Sequence, residues 1–420
     1  MTNTTMNGSV KTQAAAAKKA AKTLSLLSTE EKNEALIMMA DQLEQEASYI
    51  LAANEKDLEN GREKGYEEAF MDRLLLTKER VHEFAEGLRE VAKRKDPVGD
   101  VLSSWTLDNG MNVEEVRVPL GVIGMIYEAR PNVTVDAAGL ALKSGNAVIL
   151  KGGSSAIFSN KAIVEIMHQA LEKSKIPQEA VQFIASTDRN ATQELFTLKE
   201  YIDVLIPRGG ASLINTVVEN ATVPVLETGV GNCHIYVDKE ADVEKALPII
   251  INAKTDRPAV CNAAETLIVH EDWLAANKDR LAETLKENGV TVHGDAEAAN
   301  YLPDVIPANE EDWANEYLSL DIAVKTVKSL DEAIDHIEVY GTKHSEAIVT
   351  ENNKTAAKFM KLADAAALYH NASTRFTDGS ALGFGAEIGI STQKLHARGP
   401  MGLEALTTVK YLMSGNGQIR

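Results

Sequence analysis

Two α/β domains, each built on a parallel sheet, with a β-hairpin arm: this is the fold the chain predicts. Three observations carry it. From 122 to 238 short apolar runs alternate with helix-like runs, a second alternating block follows Cys261, and Asp108-Asn109-Gly110 separates two strand-like runs within 99–121. Repeated β–α–β units imply parallel sheets with covered faces. Ligands on such sheets are expected beyond the carboxyl ends of the strands. At 420 residues the chain is also too long for one simple core.

The elements follow in order. Residues 11–95 read as helices: "TQAAAAKKAAKTLSLL" is rich in helix formers, Ser28 and Glu31 match a capping box, and "TKERVHEFAEGLREVAKR" gives a third helix. The texture changes at Pro97, where Asn-Gly between β-formers signals a hairpin carrying Trp105. That hairpin reads equally as an edge feature or as an arm reaching another subunit. "GVIGMIY", "NAVILKG", "VQFIAS", "DVLIP", "TVPVLE" and "CHIYVD" read as strands, with "SNKAIVEIMHQALEKSK" and "ASLINTVVEN" as helices between them. After Cys261, "AETLIVH", "VTVHG", "IAVKTV", "SEAIVT" and "ALYHN" alternate with further helical runs. Cys261 therefore falls near the junction of the two blocks.

Composition bounds the function. A net charge of −19 argues against nucleic acid and anionic membrane, which require basic surface. Two cysteines, Cys233 and Cys261, suggest no disulfide framework and hence a reducing, cytoplasmic setting. "MTNTTMNGSVKTQ" contains no apolar stretch of the secretory kind. The apolar run "ALPIII" is far short of the ~20 residues of a membrane span.

Cys261 lies outside any apolar period, precedes a strand, and has polar neighbours in Thr255, Asp256, Arg257 and Asn262. A thiolate nucleophile needs such a setting. Cys233 opens an apolar strand and reads as a buried small hydrophobe. "ILKGGSSA" and "IPRGGASL" each end a strand and open a helix, so Lys151, Gly153 and Ser154, then Arg208, Gly209 and Gly210, lie where backbone N–H groups can receive an anion. A glycine pair alone is a tight turn; two on successive units point to a dinucleotide. Glu227 in "VPVLETGVGN" reads either as a proton shuttle or as a solvated turn residue. His336 and His344 have no companion ligands at metal-binding spacing, so no metal is expected. Lys394, His396 and Arg398 gather in a Gly-rich stretch, an anion-binding loop or a plain surface loop.

Together these residues resemble the aldehyde dehydrogenase superfamily. "LETGVGN" is similar to its Glu-Leu-Gly-Gly element, Cys261 to its nucleophile, "SGNAVILKGGSSA" to its ribose-lysine element, and "RGGAS" to its cofactor turn. "VKSLDEAIDHIEVYGTKHSEAI", "YEARPNVTVD", "DRPAVCNAAETLIVH" and "RGPMGLEALTTVKY" narrow the resemblance to the γ-glutamyl phosphate reductase family, across essentially the whole chain.

The resemblance implies an aldehyde dehydrogenase-like fold of two Rossmann-like domains and an oligomerisation arm. It assigns 1–99 and 122–230 to NADP(H) binding, 231–390 to the thiol domain, and 100–121 with 391–420 to the arm and tail. Lys151 then lies at the adenosine ribose and Glu316 at the nicotinamide ribose. Ser154 replaces a glutamate common in NAD-preferring members, which implies NADP(H). The oxyanion asparagine of aldehyde oxidisers is absent from "YEARPN", leaving Asn132 as a displaced candidate beside the Cys261 N–H. Glu227 takes a supporting role. Arg130, Arg257, Asn262, Lys394 and Arg398 are candidates for the substrate, whose phosphate and α-carboxylate suit bidentate arginine.

The implied reaction is NADPH-dependent reduction of L-glutamyl 5-phosphate to glutamate 5-semialdehyde through a Cys261 thioester, in proline biosynthesis. The implied state is a homo-oligomer, with association with the upstream glutamate kinase possible. Two other readings stand beside it: a relative using an acyl-CoA or another acyl phosphate, and a catalytically silent binding protein on the same fold.

Overall fold

A computed structural model describes residues 8–420; the opening 1–7, read above as lacking a secretory signal, lies outside the described residues. The chain divides into two units. The first runs to Thr228 and takes in Gly383–Gly389 and Met401–Arg420, and the second is Gly229–Leu382 with Ile390–Pro400. The stretch 391–400, grouped with the tail in the sequence reading, falls in the second unit.

The first unit opens with helices Val10–Leu24, Thr29–Gln45, Ala47–Glu63 and, after a short turn of helix, Lys78–Lys93. The expected capping box is present: the Ser28 hydroxyl accepts from the Glu31 N–H, and the Glu31 carboxylate accepts from the Ser28 N–H. The box satisfies two otherwise unpaired helix donors. Ala35, Leu36, Met39, Ala40 and Leu43 then recur at helical spacing as a buried face.

Four parallel strands follow, in the spatial order Val181–Phe183, Ala147–Gly152, Val122–Tyr127, Val204–Arg208. The second and third are buried along their whole length, as strands covered on both faces must be. Register pairs Tyr127 with both Gly152 and Arg208, so the two glycine-rich turns leave the sheet at one carboxyl edge. "TVPVLE" forms no regular strand. It lies beside Val204–Arg208 through a single bridge, with the Leu205 N–H donating to the Pro224 carbonyl and the Leu226 N–H to the Leu205 carbonyl.

The hairpin joins Val101–Thr106 to Asn112–Pro119. Its turn needs Gly110, whose φ of +83° suits a residue without a Cβ. A third strand, Thr407–Ser414, pairs antiparallel with Asn112–Pro119, and Trp105 meets Tyr411 edge-on at 6.1 Å.

The second unit is a seven-stranded parallel sheet in the order Ile306–Pro307, Thr291–Gly294, Asp321–Val327, Ala264–His270, Cys233–Val237, Ser345–Val349, Ala367–His370. "CHIYVD", read with the first block, is a central strand here. Alternation along the strands builds two cores. Ile235, Val237, Leu267, Val269 and Val324 pack against Trp273 and Leu281 on one face. Tyr236, Ile268 and Ile348 pack against Ile334, Ile337 and Phe359 on the other. Among the described residues no helix is long and apolar enough to cross a membrane.

Candidate active site

The thiol sits at the edge opposite to the one expected for ligands. Cys261 lies in the loop between helix Val243–Thr255 and strand Ala264–His270. A crossover helix runs antiparallel to its sheet, so a helix-to-strand loop emerges at the amino edge. Gly231, Thr342 to His344 and Asp364 precede strands Cys233–Val237, Ser345–Val349 and Ala367–His370 and share that edge.

Cys261 is half-buried in a turn that leads into a strand and opens no helix. Its backbone is gripped instead. The Cys233 thiol donates to the Cys261 carbonyl at 3.2 Å, and Gly231 packs so tightly on that carbonyl that a Cβ would coincide with it. The Gly231 N–H donates to Glu316 Oε1 at 2.9 Å. Burial raises the Glu316 carboxyl above its ordinary range, opposed by the Gly231 hydrogen bond and by Lys254. Cys233 is fully buried, and burial first, then Glu346, drives its thiol well above the usual value.

The residue after Cys261 is a tether. The Asn262 amide donates to the carbonyls of Thr377 (2.8 Å) and Arg375 (3.3 Å), and its own carbonyl accepts from the Thr374 hydroxyl at 2.7 Å. Arg375 donates to the Asn262 side chain and, through Nε, to Asp256 at 3.0 Å, bracing the loop on both sides of the cysteine. Nothing in the sequence near Cys261 signals Arg375. The contact depends on the chain returning 113 residues later.

Below this turn Lys254 and Glu265, both fully buried, form an ion pair at 2.5 Å. Glu265 Oε1 also accepts from the Leu318 N–H at 3.3 Å. Burial outweighs Lys254 and pushes the Glu265 carboxyl up to about 7. With Glu316 nearby, two carboxylates face one ammonium, and the low-dielectric interior favours keeping a proton there.

In the first unit Lys151 is buried, and its ammonium donates to the Gly152 carbonyl at 3.1 Å. Among the described residues it pairs with no carboxylate, and burial lowers its pKa. Gly153 is half-buried and Ser154 exposed beside it. Gly209 and Gly210 lead into helix Ala211–Asn220, where the Gly210 N–H donates to Glu128 Oε2 at 3.1 Å. An acidic side chain thus occupies the helix terminus assigned above to the cofactor, where the macrodipole favours negative charge. Asn132 is half-buried and donates to Asp136 at 3.0 Å. Burial pushes the Asp136 carboxyl up to about 6, against Asn132 and the charge of Arg208. Glu227 is half-buried at the end of the 223–226 run. Arg130 and Arg257 are exposed. Lys394 and Arg398 both reach Asp364, at 3.0 and 2.7 Å.

A model of the aldehyde dehydrogenase family matches residues 3–322. The chain belongs to the aldehyde dehydrogenase family. Within it, the chain is 68% identical over 419 residues to gamma-glutamyl phosphate reductase 2 of Bacillus licheniformis, covering 100% of this chain and 99% of that one. It is 59% identical over 404 residues to gamma-glutamyl phosphate reductase of Bacillus cereus, covering 96% and 97%. The crystal structure of gamma-glutamyl phosphate reductase from Thermotoga maritima superposes with a TM-score of 0.96 at 51% identity, covering 98% of this chain and all of that one. The two parallel sheets are therefore an aldehyde dehydrogenase-like fold, and the chain is an oxidoreductase of that family.

Aldehyde dehydrogenase chemistry uses a nicotinamide cofactor, and the residues of the first unit fit one. A buried ammonium with no acidic partner costs free energy until a ligand oxygen reaches it. Lys151 is such a group, at the carboxyl edge where dinucleotides bind parallel sheets.

Proposed function

We propose that the chain reduces L-glutamyl 5-phosphate to L-glutamate 5-semialdehyde and phosphate with NADPH, through a thioester on Cys261, as a step of proline biosynthesis. The observation that carries the reading is the fixed, half-buried Cys261 turn beside a second cysteine that is fully buried, with burial holding its thiol protonated.

A free carboxylate resists reduction because it already carries negative charge; an acyl phosphate does not, and phosphate leaves readily. The Cys261 thiolate adds to the acyl carbon, the C–S bond forms, and the C–O bond to phosphate breaks. When bound, a reduced nicotinamide would supply the hydride for the thioester carbon. The Cys261 N–H would donate to the oxyanion that develops on the thioester oxygen, and Asn132 is the second candidate donor. Collapse breaks the C–S bond, restores the thiolate and frees the aldehyde. Glu227 takes a supporting acid, base or positioning role, since a reductase must not hydrolyse its thioester.

Lys151, Gly153, Ser154, Arg208, Gly209 and Gly210 would hold the adenosine and phosphate end of the cofactor, and Glu316 the nicotinamide ribose. NADP(H) is favoured because Ser154 presents a hydroxyl where an acid would repel a 2′-phosphate, while Lys151 supplies positive charge. The cofactor's phosphate would compete with Glu128 for the Gly210 N–H. Trp105, Tyr411, Leu412 and Met413 leave the three-stranded arm apolar and exposed, which supports assembly of like subunits through it. A cytoplasmic setting keeps both thiols reduced, and contact with the upstream kinase would shelter a labile acyl phosphate.

The test is the reverse reaction. Glutamate semialdehyde with NADP⁺ should yield NADPH only when phosphate is present, and Cys261→Ala should abolish turnover while NADPH still binds. Turnover that depends on coenzyme A and ignores phosphate would overturn the acyl-phosphate reading.

A further inference from the structure

Three cations share one acid at the amino edge of the second sheet. Arg398 Nη2 donates to Asp364 Oδ1 at 2.7 Å, Lys394 Nζ lies 3.0 Å from Oδ2, and Lys343 Nζ lies 3.7 Å from the same oxygen. Among the described residues Asp364 is the acid these three pair with, so the group carries a surplus of two positive charges. Arg398 and Lys394 hold the Asp364 carboxyl at about 2, which keeps it ionised and able to accept further donors. Lys343 stands in the left-handed region, at φ +61°, a conformation a non-glycine residue keeps only when its surroundings enforce it.

The cluster shares the edge of the thiol. Lys343 precedes strand Ser345–Val349, two strands from Ala264–His270. Neighbouring strands are about 4.8 Å apart, so two strands span about 10 Å, a separation that long lysine and arginine side chains together with a five-carbon substrate can bridge. Lys394 and Arg398 arrive on the hairpin that begins at Ile390, whose carbonyl accepts from the Gly229 N–H at 3.1 Å. Gly229 lies two residues before Gly231, the residue seated on the Cys261 carbonyl.

We propose that Asp364, with Arg398, Lys394 and Lys343, forms the subsite for the α-amino-acid head of the substrate: Asp364 accepts from the α-ammonium and the surplus cations take the α-carboxylate. The assignment rests on the glutamyl-phosphate reading above. A carboxylate set among cations matches a zwitterion as neither charge alone would, and guanidinium suits planar carboxylate recognition. It also separates the duties of the basic residues, leaving the substrate phosphate to groups nearer Cys261.

The experiment compares two aldehydes in the reverse reaction with phosphate and NADP⁺: L-glutamate 5-semialdehyde, and glutarate semialdehyde, which keeps the carboxylate and lacks the amino group. The readout is the ratio of their kcat/KM values. Asp364→Asn should lower that ratio roughly tenfold or more, chiefly through KM for the amino substrate, as loss of a charge-assisted hydrogen bond does. Asp364→Glu should restore part of it, and Arg398→Gln should weaken both substrates without changing the ratio. A ratio unchanged in Asp364→Asn, whether both substrates suffer or neither does, would make Asp364 a loop tether and overturn the subsite. A wild-type enzyme that turns over neither aldehyde would overturn the functional reading, and the subsite with it.

Discussion

Gly231 lies against the carbonyl of Cys261 with no room for a single further atom between them. The two residues precede neighbouring strands of one sheet, and the Gly231 N–H is itself anchored by Glu316. The position of Cys261 is thus set by a backbone contact that only glycine permits.

Gly231→Ala should therefore lower catalysis as well as stability. A misplacement of ~1 Å at a reacting group lowers rates by about 100-fold, and overpacking typically costs about 1–3 kcal/mol. Steady-state kcat in the reverse reaction, read beside a thermal melt, checks this; a variant with near-normal kcat would mean the turn is not held here.

The two thiols should differ sharply in reactivity. Iodoacetamide followed by peptide mass spectrometry should modify half-buried Cys261 first, because burial and Glu346 hold the Cys233 thiol protonated. NADP⁺ or substrate should alter the Cys261 rate. Equal and slow labelling of both would remove the case for a thiolate nucleophile.

Lys151→Met should trade affinity against stability in the favourable direction. A buried ammonium without an acid is a burden on the empty protein, so replacing it with an apolar side chain of similar length should leave the melting temperature equal or higher. NADPH affinity, read by its fluorescence, should fall about tenfold or more, the usual loss for a charge-assisted hydrogen bond. Unchanged affinity would move the ribose contact elsewhere.

Stability should also depend on pH through Glu265. Its folded pKa is raised to about 7 from 4.5, so between those values the folded state holds a proton that the unfolded state has released. The stabilisation is full below the lower value and is lost as pH rises towards 7, with a slope of at most about 1.4 kcal/mol per pH unit. Glu265→Gln should flatten that slope in denaturant midpoints measured from about pH 5 to 8. A wild-type profile with no such slope would mean that Lys254 keeps Glu265 ionised.

Arg375→Ala should release both ends of the Cys261 loop, at Asp256 and Asn262. Lower kcat with little change in NADPH affinity is the expected signature. A parallel loss of both would point to general unfolding of the second unit.

Local chemistry was legible in the sequence where it acts over short range. The Ser28–Glu31 capping box, the Asn109-Gly110 turn and the alternating strands each depend on residues a few positions apart, and each is present. What escaped reading depends on the chain returning to itself. Asp364 has no unusual neighbours in sequence; its meaning comes from Lys343, Lys394 and Arg398 meeting it in space. Arg375 acquires its purpose from Asn262 in the same way. "TVPVLE" has the composition of a strand but forms a single bridge beside Leu205, and two residues further along the same strand it is the Thr228 hydroxyl that donates to the Pro207 carbonyl, at 2.7 Å. The amino-edge position of Cys261 follows from simple topology once helix Val243–Thr255 is recognised as the element that delivers it.

Strand Thr407–Ser414 completes a sheet whose other two members, Val101–Thr106 and Asn112–Pro119, leave the ribosome nearly 300 residues earlier. Through most of translation the hairpin must wait with an open edge and an apolar surface, a hazard for association with other nascent chains. Release of the last segment is therefore the event that seals it, and a stop codon before residue 407 would yield a polypeptide with its seven-stranded sheet intact and this edge permanently unclosed.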